Sequence, residues 1–356
     1  MSASGFYQAI KSPRQYDAAR VAEWLGRVSP TRVAAIAESM ERYVSQNLPG
    51  AIRSKSGLGD YRTSPYVLMA TAGSLRLDDP TDLSKFLIGL KLYMGLETSF
   101  GKSIEKVVMR HYPAYSRIGS EWHEPVEKLA EFALLKGLTQ EEKSQQRVTS
   151  VWREIDTSCV VDDRRHLMSI KSGTSTINDT QVGGMFAAIR DNSREWLRAS
   201  VDRHAVSGID VVIGLTYGSD RSTNNKENQI LAKLLSCGFD ELDRQTQPGV
   251  LTNQDGSIKV YRVIGIDYWA YTASPANPSA FEFAFLEVIL GLAEALRLAQ
   301  ERGDVRAALE ERVELLATAI RDLRGDEDAL PEAIDQKLGP SEMTWLAAAT
   351  SAFFDR

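Results

Sequence analysis

The sequence predicts a mixed α/β protein, with a sheet core over residues 96–275 flanked by helices and extended by helical regions at 1–95 and 276–356. Three observations carry that expectation. Val151–Asn178 reads as two strands around a tight polar turn, Ile209–Leu215 is nearly continuous in apolar residues, and both ends of the chain repeat apolar residues at helical spacing. The 356 residues, 43% apolar and 25% charged, suffice for one large core or two modest ones.

At the N-terminal end, Tyr16–Leu25 and Thr31–Tyr43 show helical spacing, and Pro80-Thr81-Asp82 opens a longer amphipathic helix over Asp82–Leu96. Between them Asn47–Tyr66 reads as a loop. It combines Arg53, Lys55 and Arg62 with two tyrosines and three glycines, which suits contact with a phosphate backbone and equally suits a solvated connection. Ser99–Met109 begins a helix in which Gly101, Val108 and Met109 lie beside Glu105, so that carboxylate is expected to be half-buried.

In the hairpin Val151–Asn178, taking Asp163-Arg164 as the turn centre sets Asp156 opposite Lys171. Side chains alternate along a strand, so Glu154, Asp156 and Ser158 share a polar face with Ser169, Lys171 and Gly173, while Ile155, Met168 and Ile170 face a core. An acid beside a lysine suits phosphodiester cleavage. A hard cation held by carboxylates polarises the phosphoryl oxygen and lowers the pKa of the attacking water, and a lysine steadies the pentacovalent charge. The alternative is an exposed cross-strand ion pair, worth less than about 1 kcal/mol.

Beyond the hairpin, Thr180–Ser200 reads as a helix through Val182, Phe186, Ile189 and Trp196, and Ile209–Leu215 as a strand covered on both faces. The polar loop Gly218–Gln229 carries Arg221, Asn224, Asn225 and Lys226, residue types that read base edges in the major groove. Ile230–Leu235 looks helical, and Ser257–Ile266 looks like a strand after the turn Asn253–Gly256. Trp269, Tyr271, Phe281, Phe283 and Phe285 adjoin Leu286, Ile289 and Leu290 at helical spacing and read as core leading into a helix that ends near Arg302. Helices at Val305–Leu323 and Ser341–Phe354 flank an acidic linker and suit a support or oligomerisation surface.

Composition excludes several classes. There is no run of 18 apolar residues and no signal-peptide hydrophobic segment, so no membrane partner and a cytoplasmic location are expected. Cys159 and Cys237 lack metal or disulfide spacing and are expected to be buried. The four histidines show no H-x-x-x-H or H-x-H spacing, and His166 reads as an exposed strand-end residue. No G-x-S-x-G or P-loop pattern occurs. The net charge of −6 argues against nucleic acid until it is divided: residues 1–200 hold 27 Lys+Arg against 23 Asp+Glu, and 201–356 hold 15 against 25. A local cationic cleft in the front part is therefore compatible with the total.

The hairpin, with the run Lys171-Ser172-Gly173 followed by Thr174 to Asn178, resembles the active-site hairpin of the PD-(D/E)XK nuclease superfamily, and within it type II restriction endonucleases with a KSG-x-x-T-x-N run. That resemblance spans about 30 residues. It implies a restriction-endonuclease-like sheet core, Mg²⁺ as cofactor, double-stranded DNA as substrate, a homodimer, and a cognate DNA methyltransferase as cellular partner. It makes Asp156 a metal ligand and Lys171 the residue at the scissile phosphate or the water. Ser172, Thr174 and Asn178 become DNA contacts.

Ser169 stands where the superfamily has its second acid, as in some restriction enzymes that read S-x-K, so a replacement carboxylate is required. Glu105 ranks first, because its G-x-x-x-E helix resembles the superfamily's first core helix; Glu154 ranks second, and Asp179, which also reads as an N-cap, third. The resulting expectation is a type II site-specific deoxyribonuclease with Asp156, Lys171, Glu105 and Ser169 at the catalytic centre. Its alternatives are a structure-specific or repair nuclease on the same core and a noncatalytic DNA-binding protein with a degraded site.

Overall fold

The computed structural model describes residues 18–53, 79–90, 150–171, 177–219, 222–243 and 247–322, together with 74–75, 77, 103–104, 107–112, 116–117 and Gly173. Among these residues, seven strands form one mixed sheet: β1 (Ser116–Arg117), β2 (Thr157–Val161), β3 (Arg164–Lys171), β4 (Gly208–Leu215), β5 (Asp240–Asp243), β6 (Gln247–Thr252) and β7 (Ile258–Ile264). Their spatial order is β1-β2-β3-β4-β7-β6-β5. The central strands β3, β4 and β7 are parallel, and antiparallel pairs flank them. Helices are α1 (Ala18–Arg27), α2 (Pro30–Arg53), α3 (Asp179–His204), α4 (Lys226–Leu235), α5 (Ile266–Ala273), α6 (Ala284–Arg302) and α7 (Asp304–Asp322), with a further helical segment at 80–90.

The chain forms two compact units, one of 1–36 with 101–291 and one of 37–100 with 292–356. The sheet unit thus runs to 291 and takes in the first 36 residues, against the 96–275 expected from sequence. Residues from both ends of the chain combine in the second unit.

Parallel neighbours need a long crossover, and α3 supplies it between β3 and β4. All eight residues of β4 are buried, as its apolar run requires. One face of the central strands packs Leu167, Val211, Ile213 and Val260 against Val182, Met185, Ile189 and Trp196 of α3 and Ile230 and Leu234 of α4. Against the other face lies α5. A Cβ built at Gly214 would stand 2.7 Å from the buried Tyr268 ring, so β4 and α5 are in direct contact there.

The hairpin register differs from the sequence expectation by two residues. Thr157 pairs with Met168 and Val161 with Arg164, which places the turn at Asp162-Asp163. Arg164 cannot belong to the turn, because it is held as strand: its Nε donates to Asp210 at 2.6 Å and its terminal nitrogen to Ile209 O at 2.8 Å. Asp162 supplies the left-handed conformation (φ 54°), which Asp tolerates better than most residues. The ladder stops at Thr157 and Met168: Asp156 N also donates to Met168 O at 2.9 Å and 151–154 form a turn, so the regular pairing does not extend to set Asp156 opposite Lys171. The polar face expected of the hairpin is not found: both faces are covered, Ser158 and Ser169 are buried, and Ile155 packs with Leu167 against α3 whereas Met168 lies on the α5 side beside Gly214.

Other expectations also change. The segment 47–53, read as loop, is the end of α2, because Ile36, Met40, Val44 and Ile52 continue one buried stripe past Pro49. Ile289 and Leu290 point outward on α6, whose buried side consists of Ala284, Val288, Gly291, Ala295 and Ala299. Small residues let α2 approach closely, since Gly291 lies against Ile36. Cys159 is buried, but Cys237 is exposed in the turn after α4. His166 is buried rather than exposed, since α5 covers its face of the sheet. No described helix is long and apolar enough to cross a membrane.

Candidate active site

The three parallel strands end level, with Lys171, Leu215 and Ile264 in one row of the register. Ligands of open α/β sheets bind outside such carboxyl ends, because the loops leaving them can converge on one point. The backbone continues the row for one more step, Thr216 N donating to Lys171 O at 3.0 Å and Gly265 N to Leu215 O at 2.9 Å. Gly265 needs its lack of a side chain here: its φ is +60° and a Cβ would strike the carbonyl oxygen of Gly218. Gly173 is likewise covered by the Tyr217 ring.

Three of the expected residues meet at this edge. Lys171 Nζ lies 3.9 Å from Glu154 Oε2, and both side chains are largely but not fully buried, at 16% and 19% exposure. Arg153 approaches the other oxygen of Glu154 at 3.6 Å. Asp156 sits where the hairpin opens: its backbone N donates to Met168 O at 2.9 Å, and its Oδ2 accepts from Ile170 N at 2.7 Å. That bond fixes the carboxylate against β3. Ser169, at 0% exposure, has a hydroxyl without a hydrogen-bond partner. A buried orphan of this kind costs about 1–3 kcal/mol.

Glu154 and Asp156, two positions apart, are carboxylates of the kind that Mg²⁺ takes, one or two at a time, completing its shell with water and phosphate oxygens. Among the described residues no cluster of three His, Cys, Asp or Glu could hold a metal. Glu105 lies outside the described residues, as do Ser172, Thr174, Arg221, Lys55 and Arg62.

The remaining expected residues have structural partners. Asn178 is the N-cap of α3, in a capping box where its side chain accepts from Gln181 N and its own N donates to the Gln181 side chain. Asp179, 86% exposed, pairs with Lys226. Asn224 donates to Ile177 O at 2.8 Å, and Asn225 bonds Asn228. These contacts tie the loop after β4 to the segment after β3. Arg53 belongs to the second unit, where it meets Glu311 at 3.2 Å.

Two features had no usable signal in the sequence. Gly184 of α3 leaves room beside Glu154, whose Oε1 would be 3.8 Å from a Cβ there. Glu227 is fully buried in the first turn of α4, one oxygen accepting from Thr223 at 2.7 Å and the other without a partner. From sequence it reads merely as an acid complementing the helix dipole. Compared with known protein families and with curated proteins, the chain matches none.

The geometry turns the choice of second carboxylate into a measurement. If the chain cleaves DNA with Mg²⁺, Glu154→Gln, which keeps the shape of the side chain and removes its charge from Lys171, should impair that cleavage. Glu105→Gln should be nearly inactive if Glu105 outranks it as ligand. Cleavage rates of the two purified variants, measured side by side, give the order; unchanged rates in both exclude both.

Proposed function

We propose that this chain is a type II site-specific deoxyribonuclease, making Mg²⁺-dependent cuts in both strands of double-stranded DNA as a cytoplasmic homodimer. One observation above the others supports nuclease chemistry: a lysine, its carboxylate partner and a second, backbone-anchored carboxylate converge at the carboxyl end of a central parallel strand.

Asp156 and Glu154 would hold Mg²⁺, and the chemistry it would supply is Lewis acidity and a water of lowered pKa. Ile170 N donates to Asp156 Oδ2 and so fixes the orientation of that carboxylate. Lys171 places its ammonium within reach of Glu154, where a scissile phosphate would exchange one anionic partner for another. Ser169 contributes a neutral hydroxyl where the resembling superfamily has a carboxylate, so it adds no charge.

Incubation of phage DNA with the full chain and Mg²⁺ tests this directly. Discrete bands are expected with Mg²⁺ and none with EDTA. A smear would indicate a nuclease without site specificity, and retention of DNA without cutting would indicate a noncatalytic binder. Two-fold symmetric sites call for two chains. Sedimentation of the DNA complex in Ca²⁺ should therefore find two per duplex.

A further inference from the structure

Gly184, in the second turn of α3, is a glycine that packing within the chain does not explain. It is exposed, its backbone is ordinary helix, and a Cβ built there meets one described atom within 4 Å, Glu154 Oε1 at 3.8 Å. Alanine would therefore fit. In a helix interior glycine lowers the folded-to-unfolded ratio roughly fivefold relative to alanine, a loss that the neighbouring residues do not impose. What distinguishes the position is its contact with Glu154.

Glu154 turns its two oxygens to different neighbours. Oε2 lies 3.9 Å from Lys171 Nζ, while Oε1 lies 3.6 Å from Arg153 Nε and beside the empty position at Gly184. Lys171 and Glu154 keep only 16% and 19% of their side chains exposed, and Arg153 keeps 56%. Any side chain at 184 would start in contact with Oε1, and a long one would lie over what remains of the pair's exposed surface. Ser169 leaves β3 on the same face as Lys171, the face that Leu167 packs against α3, and its buried hydroxyl has no partner among the described residues. Two cations flanking one carboxylate, with an unused hydroxyl donor on the same strand face, suit an anionic group.

We propose that Gly184 is the open side of the Lys171–Glu154 pair, the place where the sugar–phosphate backbone of a nucleic-acid strand lies against α3 while one of its phosphates meets Lys171. This deepens the nuclease reading and rests on it for the identity of the ligand. With no side chain at 184, a phosphodiester comes into van der Waals contact with the helix backbone itself, and Arg153 offers its cation to the same strand. Gly183, about 100° away around the helix, meets no described atom within 4 Å and does not adjoin Glu154. It carries the same helix cost without the opening, and so serves as the control.

The test compares the purified full chain with Gly184→Ala, Gly184→Leu and Gly183→Leu. Urea unfolding should find Gly184→Ala more stable than the parent, its folded-to-unfolded ratio raised about fivefold. Acetic anhydride then reports the opening. Acetylation of Lys171, read by peptide mass spectrometry against the exposed Lys85, should slow several-fold in Gly184→Leu and stay parental in Gly183→Leu. Phage DNA in Ca²⁺ should protect Lys171 in the parent, and Gly184→Leu should bind that DNA more weakly. A less stable Gly184→Ala overturns the opening, as does acetylation of Lys171 that is unchanged in Gly184→Leu or slowed equally in Gly183→Leu. Lys171 left unprotected by DNA in the parent overturns the phosphodiester as the ligand, and the nuclease reading with it. The acetylation comparison is made without DNA, so it still decides whether Gly184 is the opening.

Discussion

Lys171→Ala should lower cleavage by roughly 10³-fold while the protein still retains its DNA site in Ca²⁺, because it removes charge at the reacting phosphate and not at the bases. Asp156 needs a more careful substitution. Its Oδ2 accepts from Ile170 N, so Asp156→Ala would also unfasten the mouth of the hairpin, whereas Asp156→Asn keeps an oxygen for that bond and removes the metal-binding charge. Both Lys171→Ala and Asp156→Asn should have the circular dichroism of the parent and be almost inactive on plasmid DNA. A folded variant of either kind that cuts near the parental rate would move the active site away from this hairpin.

Gly214→Ala should destabilise the sheet unit by about 2–3 kcal/mol, and Gly214→Val should prevent folding. The position is the next-to-last residue of β4, the central strand of the sheet. A Cβ there would meet two carbons of the Tyr268 ring at 2.7 and 2.8 Å and Met168 Sδ at 3.4 Å. Tyr268 cannot retreat, since it is fully buried and held edge-on to Trp269 at 4.9 Å between centroids. Alanine gains about 0.5–1 kcal/mol from lower backbone entropy in the unfolded chain, which the clash outweighs. Urea midpoints report the difference, and equal stability would mean that α5 does not press on β4.

What could be read from the sequence depended on how local its cause was. The apolar run of β4 and the stripe through Val182, Ile189 and Trp196 announce a covered strand and its crossover helix, because burial of those side chains is itself the reason the elements form. The register of the hairpin is not local, since Arg164 is drawn out of the turn by Asp210 and by carbonyls 45 and 93 positions away along the chain. Asp156 and Lys171 were legible as chemistry, but the approach of Glu154 to the lysine depends on the turn at 151–154, which precedes the paired part of the hairpin. The burial of His166 was not legible at all: its hydrogen-bond partner Tyr271 is 105 positions away, and neither belongs to a recognisable spacing.

The tight turns that precede β3 and β7 both carry acid at their tips, Asp162 and Asp163 in the first and Asp255 in the second. Hydrogen bonds keep two of these carboxylates ionised well into acid: the Ser207 hydroxyl lowers the pKa of Asp163, and the Ser257 hydroxyl and backbone N lower that of Asp255. Since β3 and β7 run parallel, the turns lie at the same end of the sheet, away from Lys171. Arg164 and Lys259 stand at the same end and offset part of this charge, so a polyanion reaching the sheet unit would be steered away from it only weakly, by the turn carboxylates left uncompensated. Such steering weakens as the Debye length shortens with added salt, so it acts on the rate of encounter rather than on the strength of the complex.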